Sequence, residues 1–344
     1  MSVRSTRLSL HSGGIVNIAK SMTKLSLMAL GMLLLVTPFV QTAVAQQEEE
    51  TYGMVVFLRG SEFFNWAYAG MVDAAAAIGP HIKTELQGPA EWDASLQARA
   101  IDQLVARGLD GIVATAGDAE TMIPSIDRAI SRGMPVITFD SDAPDSDRLA
   151  FVGTNNYQAG FQAGLTVAEW LGDDARVGVS LFPGPTHIRA RVDGFRDALL
   201  QAAPGAQIVA EVNDEGSVSQ AETAITAMLQ ANPQINVIFA SHGNPGPGAA
   251  AAVRNLGLQD SVDIMGFDFG APVLELIQNG EIRATVGQNP YLMGYMGLLL
   301  AHSARHQTDV PLFGEFGPHP GLIDTGVQIL YVDDIEPFLN PPSF

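Results

Sequence analysis

From Met54 almost to the carboxyl end, short aliphatic runs alternate with segments whose apolar residues recur every three or four positions. The runs read as strands buried on both faces and the segments between them as covering helices, which predicts parallel sheets in an α/β architecture. In the first half, strands are expected at 54–58, 82–86, 111–114 and 135–139. A helix is expected over 65–78, closed by Gly79-Pro80. A second follows Asp93, a fitting N-cap, with Ala98, Ile101, Leu104 and Val105 on one face and Gly108 as the stop. After a strand at 149–152 the alternation begins again, with a helix at 156–171, a strand at 176–181 and a helix from about 189 to 202. Ser219-Gln220-Ala221-Glu222 has capping-box form ahead of Ala221, Ile225, Met228 and Leu229, and strands follow at 237–240 and 262–267. A strand at 283–286, a helix from 290 to about 304 and a last strand at 327–331 complete the series. Pro311, Gly314, Gly317, Pro318, Pro320 and Gly321 mark a loop before that last strand.

The first 45 residues follow another pattern. Arg4, Arg7, Lys20 and Lys24 supply a basic start without acid, residues 25–40 are an apolar run, and Ala43-Val44-Ala45 has the small-x-small form of a signal-peptidase site. A run of this length is short for a membrane span, and the acidic stretch after it is no stop-transfer flank. Cleavage after Ala45 and export to the periplasm are therefore expected, with no lipid anchor because no cysteine follows. The remaining chain is long enough for two lobes. Apolar residues make up 47% and charged residues 16%, which excludes a disordered protein. There is no cysteine, hence no disulfide framework and no cysteine-ligated metal. Formal charge is −19, and loss of the four basic residues leaves 14 against 37 acidic ones. Such an excess of acid repels phosphate and argues against nucleic acid as a partner.

In open parallel sheets a ligand lies beyond the carboxyl ends of the strands. The residues found there include Phe63, Phe64, Asp140, Arg189, His242, Asp268 and Gln288. Aromatic faces with charged and amide groups suit a small polyhydroxylated molecule, since rings cover C–H faces while the polar groups hydrogen-bond hydroxyls. Five motifs occur in order: Gly60-Ser61-Glu62-Phe63-Phe64, Val136-Ile137-Thr138-Phe139-Asp140, Asp193-Gly194-Phe195, Gly266-Phe267-Asp268 and Ala284-Thr285-Val286-Gly287-Gln288. With them, the chain from about Thr51 to Val332 resembles the type I periplasmic sugar-binding proteins, most of all the ribose-binding group that serves bacterial ABC importers.

That resemblance implies two doubly wound lobes joined by a three-segment hinge and closing on a sugar. The lobes would be 51–154 with 289–323 and 155–288 with 324–344, and the hinge would lie near Asn155, Asn289 and Asp324-Thr325, with Gly153 and Gly287 beside it. It implies that Phe63 and Phe64 sandwich the ring, that Asp140 binds its hydroxyls, and that Arg189, Asp268 and Gln288 bind from the second lobe and hinge. The departures are Ser61-Glu62 in place of Asn-Pro, Ser141 in place of an arginine, and His242 in place of an asparagine or aspartate. Ser61, Ser141 and His242 are thus the positions that would set ligand identity. Asp140-Ser141-Asp142 is similar to the branch that binds rhamnose or the autoinducer-2 furanosyl signal. The implied protein is a monomeric, cofactor-free receptor that hands a sugar or polyol to a permease. The second reading is a sensor for a sugar or autoinducer-2 docking on a chemoreceptor or histidine kinase.

Each residue also has a plainer reading. Phe63 and Phe64 fit the core at a helix start, Asp140 and Asp268 fit caps or turns, and His242 fits a loop surface. Arg189 and Arg191 fit a solvated helix face, and only one need reach the cleft. An enzyme using Asp140 or His242 as general base lacks a paired acid, a metal set or an activated nucleophile. His302 and His306 have metal-ligand spacing but no glutamate between them, so no metal is expected. Asp268-Phe269-Gly270 lacks every other kinase motif. The stretch 243–248 has neither dinucleotide-fold nor phosphate-loop spacing, and Pro245 and Pro247 remove backbone donors.

Overall fold

The computed structural model describes residues 48–183, 186–306, 321–340 and 342. The expected signal segment and the loop at 311–320 fall outside them. The strands are β1 (Glu50–Val55), β2 (Ile82–Gln87), β3 (Gly111–Ala114), β4 (Val136–Phe139), β5 (Ala150–Gly153), β6 (Arg176–Leu181), β7 (Gln207–Asn213), β8 (Val237–Ala240), β9 (Asp263–Phe267), β10 (Ala284–Gln288), β11 (Leu322–Asp324) and β12 (Val327–Leu330). The helices are α1 (Glu62–Ile78), α2 (Ala94–Arg107), α3 (Ala119–Ser131), α4 (Asn156–Leu171), α5 (Thr186–Ala202), α6 (Val218–Ala231), α7 (Pro245–Leu256), α8 (Ala271–Gln278) and α9 (Pro290–His306).

Two six-stranded sheets result, in the orders β11-β5-β4-β3-β1-β2 and β12-β10-β9-β8-β6-β7. Every pairing is parallel except β10 with β12. Most inner strands, β3, β4, β5 and β8 among them, are buried along their whole length, as continuous apolar runs demand when helices cover both faces. The chain passes from one lobe to the other three times, after β5, after β10 and between β11 and β12. The three crossings are tied together. Asp324 Oδ1 accepts from the Asn155 amide at 3.0 Å, the Thr325 amide donates to the Gly153 carbonyl at 2.9 Å, and Thr154 Oγ1 donates to Gln288 Oε1 at 2.6 Å.

Several local expectations change. Helix α1 begins at Glu62, three residues early, because Ser61 is already extended and its carbonyl accepts from Asn65. Ser219 is not a cap: α6 starts at Val218 behind Ser217, and Glu222 instead accepts from Asn255 Nδ2 at 2.9 Å. The glycine-rich stretch after β8 is the start of α7, where Pro245 lacks a donor that the first helical turn leaves free. Asp93 does cap α2, accepting from the Leu96 amide at 2.8 Å, and Gly108 closes that helix in the left-handed region.

Candidate functional site

Asp140 and Asp268 stand at the carboxyl ends of β4 and β9, strands that hold the same place in the two sheets. Both have left-handed φ, 60° and 65°, and with Glu215 they are the only non-glycine residues so placed among the described residues. That backbone region is uncommon for side-chain residues outside Asn and Asp and marks a constrained position. It is reached because each amide turns back to the neighbouring strand, Asp140 to the Val152 carbonyl at 3.2 Å and Asp268 to that of Val286 at 2.9 Å.

Arg191, only 4% exposed, is within electrostatic reach of both carboxylates. Its Nε donates to Asn156 Oδ1 at 2.7 Å, its Nη1 donates to the Ser241 carbonyl at 3.2 Å, and its guanidinium carbon sits 3.8 Å from the centroid of the Phe267 ring. Burial pushes the guanidinium down while Asp268 and Asp140 hold it up. The Asp140 carboxyl is pushed up to about 7, first by burial and then by the charge of Asp268, against the pull of Arg191 and the Ser141 hydroxyl. Ser141 Oγ donates to Asp140 Oδ2 at 3.2 Å. Asp142 stands apart from this cluster, gripped by both Nε and Nη2 of Arg148 and by Thr138 Oγ1.

Arg189 is a correction to the expected arginine. Its side chain is 42% exposed and pairs with Glu211 of β7 at 3.1 Å, whereas Arg191 carries the buried charge. The helical period could have chosen between them. Ile188, Val192, Phe195 and Leu199 form the inward face of α5, and 191 lies on that face while 189 lies off it.

Gln288 joins the crossings to the site, because its Nε2 donates to Asp268 Oδ1 at 2.7 Å while its Oε1 receives Thr154. His242 is not a loop-surface residue. Its Nε2 is 2.9 Å from Oδ1 of the fully buried Asp214, whose Oδ2 accepts from Ser180 Oγ. Gly243 brings its backbone close to Asp268: a Cβ there would lie 3.2 Å from Oδ2. His187 is held neutral, its imidazole pushed down to about 3 by burial and by the charges of Arg191 and His242. Asp214, Asn156 and Thr154 carried no signal in the sequence, since each is recruited by a contact across elements, and His187 carried none because its burial comes only with packing.

Lobe 1 contributes the aromatic side. Phe64 is only 3% exposed and sits edge-on among Phe57, Phe63 and Phe139, so it is core; Phe63 is half-buried against it. Ser61 is half-buried at the start of α1, with no side-chain cap bond. Next to it, Glu62 reaches the other lobe, where its Oε2 accepts from the Ala271 amide at the start of α8 at 2.8 Å. Beside the crossings, a cavity of about 300 Å³ is lined by Trp66, Phe269, Gln288 and Tyr291 among others.

Two lobes, three tied crossings and a charged cluster with an aromatic wall between the lobes define a two-lobe binding protein. The chain belongs to the family described as periplasmic binding protein domain, whose model matches residues 52–306. It is 26% identical over 261 residues to the ribose import binding protein of Bacillus subtilis (strain 168), covering 76% of this chain and 83% of that one. An arabinose-binding protein from Geobacillus stearothermophilus superposes with a TM-score of 0.80 at 31% identity, over 84% of this chain and 99% of the other. A sugar-binding protein of a sugar ABC transporter from Bacillus halodurans gives 0.80 at 30% identity, over 84% and 100%. No helix among the described residues is long and apolar enough to cross a membrane.

Proposed function

We propose that the protein captures a small sugar or polyol between its lobes outside the cytoplasmic membrane and delivers it to an ABC importer. The observation that carries this reading is Arg191, buried and forked between Asn156 and Ser241 within the field of Asp140 and Asp268. A fixed donor flanked by two acceptors matches adjacent sugar hydroxyls, each of which donates once and accepts. Phe63 supplies an apolar face beside them. Ligand favours the closed form because it gains contacts from both lobes only there. Binding alone requires no cofactor and no chemical step, and the chain acts as a monomer without nucleic acid. Relatives named for import of ribose and binding of arabinose support transport over sensing. The signal-like first 45 residues support a periplasmic location.

The test is thermal unfolding against D-ribose, D-allose, arabinose, xylose, deoxysugars, polyols and autoinducer-2. A true ligand at 100 times its dissociation constant stabilises the native state by about 2.7 kcal/mol, a shift easily seen. Silence from a folded protein across the whole panel contradicts the reading.

A further inference from the structure

We propose that Glu50, His302 and His306 form a site for a divalent transition-metal ion of the zinc class, at the end of lobe 1 opposite the cleft. His302 and His306 lie one turn apart on α9, their ring centroids 4.4 Å from each other. Glu50 opens β1, at the far end of the chain in sequence, which is why the histidine spacing alone gave no third donor. One ligand atom from each residue lies within 4.8 Å of the other two. Glu50 Oε1 is 2.8 Å from His306 Nε2, and Glu50 Oε2 is 3.4 Å from His302 Nδ1.

Two imidazoles and a carboxylate are a donor set that zinc accepts while keeping an open position. With bonds near 2.1 Å, tetrahedral donors stand roughly 3.4 Å apart. The His302–Glu50 distance of 3.4 Å matches this, the His306–Glu50 distance of 2.8 Å to the other carboxylate oxygen must open, and all three donors lie within 4.8 Å of one another before any ion draws them in. The hydroxyl of the fully buried Tyr52 donates to Glu50 Oε2 at 2.6 Å and lies 3.1 Å from His302 Nδ1, so it holds both groups in place until an ion takes up the imidazole nitrogen. The nearby cations are occupied elsewhere, Arg305 with Asp110 and Lys83 with Glu49. An ion here ties the first strand to the last long helix of lobe 1. Six residues of β1 separate it from the cleft end, roughly 20 Å, so it acts on stability and not on sugar contacts.

The competing description is a hydrogen-bonded knot between β1 and α9 with no metal affinity. Tag-free, chelator-treated protein is titrated at neutral pH with Co(II), read by its visible absorption, and then with Zn(II) as competitor. The expected result is a band that saturates at one equivalent, is displaced by Zn(II), and is accompanied by a higher melting temperature with Zn(II). His306→Ala, at the exposed edge of the cluster, is expected to abolish the band with circular dichroism and sugar affinity unchanged. Tyr52→Phe is expected to weaken binding about 10- to 100-fold through the misoriented carboxylate. Absence of saturable binding in the unaltered protein, or binding that survives both His306→Ala and His302→Ala, overturns the proposal. A failed sugar panel leaves it standing, since no cleft residue enters it.

Discussion

Lobe 1 ends β4 in Asp140 and lobe 2 ends β9 in Asp268, with matching sheet position, matching φ and the same backward amide bond. The likeness extends to the crossings. Gly153-Thr154-Asn155-Asn156-Tyr157 and Gly287-Gln288-Asn289-Pro290-Tyr291 each leave a strand and open a long helix, which Asn155 and Asn289 cap. Tyr157 donates to Asp197 of α5 at 2.9 Å, and Tyr291 donates to Asp73 of α1 at 2.7 Å. In both lobes the helices touch backbone to backbone. A Cβ at Gly194 would lie 2.0 Å from the Tyr157 carbonyl oxygen and one at Gly70 would lie 1.9 Å from that of Tyr291, so only glycine fits.

These contacts set α1 and α5 in register and expose the difference. Gly160 closes on the Arg191 carbonyl as Gly294 closes on that of Ala67, so Arg191 stands where lobe 1 has Ala67. By the same register His187 stands where lobe 1 has Phe63. A shared frame thus carries an aromatic wall in one lobe and a buried charge with a neutral imidazole in the other. The lesson is that backbone geometry is repeated while the side chains that meet a ligand diverge, which lets one cleft present an apolar face against polar ones.

Arg191→Ala breaks the comparison most severely, because it gives lobe 2 the residue of lobe 1. It leaves Asp140 and Asp268 without their cation, at an expected cost of about 3–5 kcal/mol in denaturant unfolding together with loss of sugar-induced stabilisation. Arg191→Lys keeps the charge but not the fork to Asn156 and Ser241, and falls between the two.

The two lobes also oppose each other in pH. Asp140 is raised from 3.8 to about 7, so the native state binds the extra proton and this group's stabilisation is lost as pH rises through that window. His187 is lowered from 6.5 to about 3, so the unfolded state binds the extra proton and stability is lost as pH falls below 6.5. Between about pH 4 and 6.5 the two slopes offset one another. Melting temperature against pH is therefore expected to fall more steeply on acidification in Asp140→Asn. In His187→Gln it is expected to decline as pH rises from 4 to 7. Identical pH profiles in the two variants contradict the assignment.

Glu62→Gln gives a smaller effect. A carboxylate at a helix N-terminus contributes about 0.3–1 kcal/mol, and this one contributes only while the lobes are together. Sugar should leave roughly 2- to 5-fold faster in stopped flow, and an unchanged rate removes Glu62 from closure.

The frame was legible in the sequence because buried parallel strands are uninterrupted apolar runs and helices repeat at 3.6 residues. Asp140 and Asp268 were legible too, as acids directly after such runs. What escaped was long-range pairing. Asp214 meets His242, and Glu50 meets His302 and His306, only after distant elements pack. Helix α3 holds Pro124 and α8 spans just eight residues, so neither gave a strong periodic signal. Arg189 and Arg191 both follow β6 closely, and only the inward face that Ile188, Val192 and Phe195 define separates them, placing 191 inside and 189 outside.

The most direct measurement is calorimetric titration of the best sugar from the panel into Asp140→Ala and Arg189→Ala side by side. Removal of a buried carboxyl that leaves ligand hydroxyls unpaired costs about 1–3 kcal/mol, so Asp140→Ala should bind about 5- to 100-fold more weakly. Arg189→Ala, which loses only a surface pair with Glu211, should bind as the unaltered protein does. Full affinity in Asp140→Ala, or a loss confined to Arg189→Ala, would contradict a sugar site built on Asp140, Arg191 and Asp268.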